Sequence, residues 1–239
     1  QKLPKEERYN WPRSINTFSS RLRWHCHFIQ KLEDEPEIEF KNMHSLYNNL
    51  RNESDSDFFL ESWKRGLTGY PMVDACMRSL IKTGWLNFRM RAMLMSFASY
   101  HLWLPWQITS KYLASLFTDY EPGIHYAQSQ MQSGTTGINA IRIYNPIKQG
   151  IDHDPDGIFI KKWLPELRKI PKTNIHKPWE SIEYIKEYIP PIVDEIEARK
   201  LAASKIYKLR KDKLHKIESK KIYLKHGSRK PKIKKISKK

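Results

Sequence analysis

Trp63-Lys-Arg-Gly-Leu-Thr-Gly-Tyr-Pro-Met-Val-Asp-Ala-Cys-Met-Arg78, followed by Gly84-Trp85-Leu-Asn-Phe-Arg-Met-Arg91, decides the class of this fold. Thr68-Gly69-Tyr70-Pro71 reads as a turn, and Pro71 suits a first helical turn because its missing N–H would have no partner there. Met72, Val73, Ala75, Cys76, Met77 and Leu80 supply one apolar helix face. Gly84 fits the position just past a helix end, where a left-handed backbone costs glycine little. Asp74 and Arg78, four residues apart, are spaced to pair. A second helix follows over about residues 85–104, carrying Met90, Met93, Leu94, Phe97 and Leu102, and Pro105 ends or kinks it. Arg89 and Arg91 lie inside that apolar pattern, and a buried guanidinium needs an acidic partner.

Working outward, Leu22, Trp24, Phe28, Ile29 and Leu32 fit a helix that ends in the acidic run 33–39. Residues 40–57 are polar and read as a connection, and a helix through Phe58, Phe59 and Trp63 stops at Gly66. A further helix spans about 107–117. Residues 119–157 lose apolar periodicity and are rich in Gly, Pro, Thr, Ser and Gln, so they read as a long connection of the kind that often carries function. Helices resume at 157–164 and 182–188. After Pro190-Pro191 a long helix starts at about Ile192 and fades into a basic tail. No strand-like alternation of any length appears, so the class is all-α, with a connecting segment at 1–19, a helical domain at 20–198 and a tail at 199–239. No apolar run approaches the roughly 18 residues that a membrane span needs.

The 239 residues carry 43 Lys plus Arg against 26 Asp plus Glu, a formal net charge of +17. The charge is uneven: residues 199–239 hold 18 basic side chains against Asp212 and Glu218 only, while the preceding 198 are close to neutral. A Lys-rich terminus can bind phosphate backbones through counterion release, but on composition alone it reads first as a solvated helix end with a disordered tail. Two cysteines, Cys26 and Cys76, are too few for a disulfide scaffold or a four-thiolate metal site, which makes a reducing cytoplasm the default. The chain shows no leader or myristoylation signal. It begins at Gln1, as a fragment or processed product would.

Residue chemistry narrows the function. His25-Cys26-His27 has no second Cys–His cluster to complete a zinc site, and consecutive helical positions point apart, so no metal is expected. Neither a phosphate-cradling Gly-x-x-x-x-Gly-Lys loop nor a Gly-x-Ser-x-Gly elbow occurs. What remains is Arg89 and Arg91 in an apolar helix, together with Asp119, Glu121 and His125 at the head of the long connection. They suggest a concave site in which an Arg–Asp pair faces a planar polar ligand. Eight Trp and twelve Tyr suit stacked aromatic ligands.

These same residues resemble the flavin-binding core of DNA photolyases and cryptochromes. The resemblance rests on residues 63–78 and 84–91, Ser96-Phe97, Trp106, Asp119, Arg142-Ile-Tyr-Asn-Pro146, Phe159-Ile-Lys-Lys-Trp-Leu-Pro-Glu-Leu167 and His176-Lys-Pro-Trp179, and covers about residues 20–200. It implies a helical domain that holds FAD, preceded in the family by an α/β antenna domain that nothing here resembles. The Ser/Thr-rich loop that cradles the FAD phosphates is also not matched.

The resemblance implies roles for particular residues. Arg91 would pair with Asp119 beside the flavin ring, with Trp24, Arg91 and His125 as the catalytic group. Arg21, Trp24, His25, Phe88, Arg91, Asp119, Tyr120, Glu121, His125 and Ser129 would line the cofactor site, and His25, Phe28, Arg89 and Arg142 would meet DNA. Trp24 matches the tryptophan that stacks on a flipped lesion. Arg21 stands where repair enzymes carry a glutamate, and Phe88 and His125 where they carry asparagines; Glu121 replaces an aspartate. Trp106 matches the middle member of a three-tryptophan electron relay whose other positions here are Ser129 and Glu53, leaving Trp103, Tyr126 or Tyr144 as substitutes. The implied activity is light-driven repair of pyrimidine dimers in DNA, or else light sensing without repair, by a monomeric cytoplasmic protein with no membrane contact.

Overall fold

The computed structural model describes residues 11–51, 57–181 and 188–227, and among these the chain is helical without a strand. Helix α1 spans Trp11–Asp34, α2 Asp57–Lys64, α3 Pro71–Thr83, α4 Phe88–Ser96, α5 Trp106–Leu116, α6 Pro122–Ser133, α7 Pro146–His153, α8 Ile158–Trp163, α9 Glu195–Arg210 and α10 Lys213–His226. The all-α class and the α3–α4 core follow the sequence pattern. Trp63, Val73, Cys76, Met77, Leu80, Met93, Leu94 and Phe97 share one cluster with no appreciable exposure.

The turn that opens α3 is tied by Asp74. Its buried carboxylate accepts from the Thr68 backbone N–H (2.8 Å) and hydroxyl (2.6 Å), from Gly69 N–H (3.0 Å) and from the Tyr188 hydroxyl. Arg78, spaced to pair with Asp74, instead reaches Glu166 (2.7 Å) and the Gly66 carbonyl, because the turn has already used both carboxylate oxygens. Gly84 closes α3 at φ 71°. Asn87 caps α4 by accepting from Met90 N–H, so that helix starts at Phe88 and residues 85–87 form its approach. Residues 97–101 then widen into a π turn, and Trp103 follows with φ 56°.

Three expectations change. Residues 119–157 are not one long connection, since they contain α6 and α7. Helix α6 escaped the periodicity because it packs through polar side chains: Ser129, Gln130, Gln132 and Ser133 are all buried. Glu121 caps it through Gly123 N–H (3.0 Å) and Ile124 N–H (2.7 Å), and Gly134 ends it at φ 77°. At Gly123 an added Cβ would lie 2.8 Å from the Ile29 Cα, which is how closely α1 approaches. Second, α1 begins at Trp11, inside the expected connecting segment.

Third, residues 199–227 are not a solvated tail, and a boundary at 198 would cut α9. The helix breaks where Asp212 caps α10 through Leu214 N–H (2.8 Å), and the resulting hairpin folds back onto the body. Ala202 and Ile206 pack on Tyr47 and Tyr100. His215 stacks on His44 at 4.2 Å and shares a 2.9 Å hydrogen bond with the Tyr47 hydroxyl. Glu218 accepts from Ser45 N–H (2.6 Å), and Glu35 meets Lys225 and His226. The helix expected at 182–188 and the relay position Glu53 lie outside the described residues, Tyr188 excepted.

This docking is pH-sensitive. Burial, with the charges of His44 and Arg210 adding to it, lowers the His215 imidazole to about 4 from the ordinary 6.5. A lowered histidine binds its proton more readily once released, so docking is fully favoured above pH 6.5 and weakens as the pH falls towards 4. Burial raises the Glu35 carboxyl, but its bonds to Lys225 and His226 outweigh that and leave it lowered, so its contribution also fades in acid. Hydrogen exchange should show α10 losing protection relative to α3 between pH 6.5 and 4. A constant ratio of the two would refute the linkage.

Candidate functional site

Helix α4, the end of α5, the 117–121 connection and α6 enclose a cavity of about 410 Å³, within the range of about 300–1,000 Å³ usual for small-molecule sites. Trp85, Phe88, Phe117 and Tyr120 give it aromatic walls, with Trp85 and Phe88 more than half exposed at the rim.

Arg91 crosses one wall. Its Nη2 donates to Asp119 Oδ2 at 2.9 Å, its Nε to the Leu86 carbonyl at 2.7 Å, and its guanidinium lies 4.1 Å from the Phe117 ring centroid. Half of the Asp119 side chain is exposed, and such pairs contribute only about 0–1 kcal/mol to stability. The pair's consequence is therefore positional: it fixes a cation, over an aromatic ring, at the cavity surface.

His125 is fixed as well. Its Nε2 lies 2.9 Å from both the carbonyl oxygen and the hydroxyl of Ser110. A carbonyl can only accept, so the proton of the neutral ring sits on Nε2 and Nδ1 is left as an acceptor. Burial lowers its pKa and the charge of Arg91 adds to this, against the Ser110 hydrogen bond. The rings of Phe117, Tyr120 and Tyr126 surround it edge-on at 5.3–6.0 Å.

Gln128, Ser129 and Gln132 continue the His125 face along α6, and all line the cavity. The buried Gln132 amide donates to Gln128 Oε1 at 3.3 Å, while its own Oε1 has no hydrogen-bond partner among the described residues. Leaving such an acceptor unpaired costs about 1–3 kcal/mol. A ligand N–H would remove that cost. Aromatic walls, a fixed cation, a ring-nitrogen acceptor and an unpaired amide oxygen fit a planar heteroaromatic ring such as that of FAD.

The cavity collects seven of the expected site residues: Phe88, Arg91, Asp119, Tyr120, Glu121, His125 and Ser129. Both Glu121 oxygens are engaged in capping α6, so this residue shapes the wall. Arg21, Trp24 and His25 lie on α1 and do not line the cavity; Arg21 and Trp24 border a separate open recess with Arg13, Thr17 and Ser20. Phe28, expected at DNA, is buried in the core against Trp24, because α1 turns this residue towards the body. Arg89 is exposed over Tyr144 and needs no acidic partner, and Arg142 and His25 are exposed as well.

Trp106 is buried beneath the cavity, its indole N–H donating to Asn42 at 2.6 Å. Tyr126 lies between it and the cavity wall, with ring centroids 6.5 Å from Trp106 and 6.4 Å from Tyr120. Trp103 stands elsewhere, between Arg51 and Lys205. Gln128, Gln132 and Phe117 were missed from the sequence; the spacing His125, Gln128, Gln132 was the available signal for the first two. Among the described residues no cluster of metal-ligating side chains forms, Cys26 is exposed, and Cys76 is buried with its thiol pushed up. Among the described residues no helix is long and apolar enough to cross a membrane.

Comparison with known proteins agrees with the geometry. Residues 18–208 match the family model described as the FAD binding domain of DNA photolyase. A deoxyribodipyrimidine photo-lyase from Alkalihalophilus pseudofirmus is 34% identical over 202 residues, 80% of this chain and 42% of that protein. Cryptochrome-2 of Arabidopsis thaliana is 38% identical over 185 residues, 72% of this chain and 30% of that protein. The crystal structure of an archaeal photolyase from Sulfolobus tokodaii, described with two FAD molecules, superposes with a TM-score of 0.75 at 31% identity, covering 87% of this chain and 47% of that one. The chain thus spans less than half the length of these relatives. It belongs to the photolyase/cryptochrome family and carries that family's FAD-binding helical domain.

Proposed function

We propose that this chain is the flavin-holding part of a light-driven enzyme that repairs pyrimidine dimers in DNA, acting as a cytoplasmic monomer. The observation that carries the reading is the convergence of the Arg91–Asp119 pair, the His125 Nδ1 acceptor and the unpaired Gln132 Oε1 on one aromatic-walled cavity. When bound, FAD supplies light absorption and one-electron chemistry; the protein supplies position and electrostatics. Arg91 would hold positive charge at the cavity wall beside the flavin, with Asp119 fixing the orientation of its guanidinium. His125, neutral and tied to Ser110, accepts a hydrogen bond and has no spare N–H to give. Phe88 and Trp85 at the rim offer apolar surface to an extruded base. Tyr126 takes the place in the electron route that Ser129 cannot fill, since it alone of the three substitutes touches both Trp106 and cavity-lining rings.

A photoreceptor without repair activity is the second reading. It is favoured by Arg21 and His125, which stand where repair enzymes carry a glutamate and an asparagine, and Arg21 lies outside the cavity.

Two measurements test these readings. Arg91→Ala should lose about 1.5–3 kcal/mol of flavin binding, or ~10–150-fold in Kd by flavin fluorescence titration; unchanged affinity would place the ring elsewhere. Illuminated, flavin-loaded protein should remove thymine dimers from irradiated DNA. Intact dimers beside a light-induced change in the flavin spectrum would decide for the photoreceptor.

A further inference from the structure

We propose that the α9–α10 hairpin is a second nucleic-acid surface, built to hold the phosphate backbone of a duplex without regard to sequence or damage. It is separate from the cavity, since it packs on the connections that flank the far end of α6, at Ser45 and Gly137.

Charge compensation is partial on the body, where five of the eleven described lysines meet a carboxylate, and absent along the hairpin's row from Lys200 to Lys221. On the body, Lys41, Lys64, Lys148, Lys172 and Lys177 each meet a carboxylate at 2.7–3.4 Å. On the hairpin, every lysine from Lys200 to Lys221 is exposed, and none joins an ion pair among the described residues. The acids that could neutralise them are engaged elsewhere. Asp212 caps α10, Glu218 is bound by Ser45, and Glu195 holds Arg199. Only Glu197, in the first turn of α9, is left. The lysines from Lys200 to Lys221 therefore lack paired carboxylates within the hairpin.

The array is also rigid. His215, Ile222 and His226 are buried against the body and turn the lysine side of α10 outward. Lys213 to Lys220 span about 10 Å of helix, a distance over which duplex DNA carries about six charges. Such charges release condensed counterions when they meet phosphates. Leu214, Ile217 and Leu224 are exposed too, but Lys216, Lys220 and Lys221 interrupt them. They offer a bilayer no continuous apolar strip of the kind an interfacial helix buries.

The test is binding of the full chain to an undamaged, fluorescein-labelled 20-base-pair duplex, in the dark and without flavin, between 50 and 200 mM KCl. It succeeds or fails independently of the repair reading. Replacing Lys213, Lys216, Lys220 and Lys221 by Gln should weaken binding at least about tenfold at the lowest salt and reduce the slope of log K against log salt by about 3–4. The same four positions as Arg should keep the slope, which separates lost charge from lost folding. Replacing Lys41, Lys64, Lys148 and Lys172 by Gln removes equal net charge and should change the slope by less than about one. Equal losses in both Gln sets, or no loss in the first, would overturn the proposal. So would binding to vesicles of phosphatidylserine and phosphatidylcholine that disappears with Leu214, Ile217 and Leu224 replaced by Ser while the duplex slope stays unchanged.

Discussion

The side-chain amide of Gln130 holds this molecule in register. Its Nε2 donates to the carbonyls of Ile38 and Lys41, both at 2.8 Å, and its Oε1 accepts from Met43 N–H at 2.7 Å. One fully buried side chain thus satisfies three backbone groups of the connection that follows α1. Each would cost about 1–3 kcal/mol if left unpaired in the interior. Because Gln130 points into that connection, the opposite face of α6 is turned to the cavity, and His125, Ser129 and Gln132 arrive there together. The hairpin depends on the same arrangement: Met43 fixes His44 and Ser45, and these receive His215 and Glu218. The site and the basic surface are two consequences of one helix packed on both sides through polar groups.

That packing also explains what the sequence could and could not reveal. Helix α3 is legible because its buried face is made of Met, Val, Ala, Cys and Leu, so burial and apolarity coincide. The long motifs around Trp63–Arg91 carry the family because they build this helix, its turn and the start of α4. Helix α6 is illegible by the same rule, since it buries Ser and Gln and its apolar residues have no period. Its signals are the cap Glu121-Pro122 and the stop Gly134, which mark ends and not faces. Arg91, Asp119, Glu121 and His125 were legible from residue chemistry alone, and the resemblance added Phe88, Tyr120 and Ser129. Gln132 was found by neither, because an unpaired amide oxygen exists only once the fold has buried it. Phe28 failed in the other direction: a position on a motif says nothing about which way a helix has turned.

The net charge repays the same separation of local from tertiary information. A count along the chain locates the basic residues correctly but treats them as one solvated run. The structure divides them by what they face. Arg210 donates to the Asn139 carbonyl and Lys225 meets Glu35, so these two cations fasten the hairpin to the body, while Arg199 pairs within α9 with Glu195. The lysines between them face outward, and none of them meets a carboxylate among the described residues. Removal of everything after Ala198 would therefore take away Ala202, Ile206 and the His215 stack along with the charge, and would report on packing as much as on electrostatics.

The cavity shows why a weak ion pair can still be decisive. In a half-exposed setting Arg91 and Asp119 add little to folding, and neither residue is needed to close the core. Their geometry is nevertheless restrained three ways, by the carboxylate, by the Leu86 carbonyl and by the Phe117 face. Three restraints on a group of small energetic worth are best understood as preorganisation: the cation is already where a ligand's partial negative charge would lie, so binding incurs little ordering cost. The neighbouring histidine extends the logic. With Nε2–H committed to Ser110 and its pKa lowered by burial and by Arg91, His125 stays neutral and presents Nδ1 as an acceptor. The cavity wall therefore offers one fixed cation and one fixed acceptor, a polarity imposed by the protein before any ligand arrives.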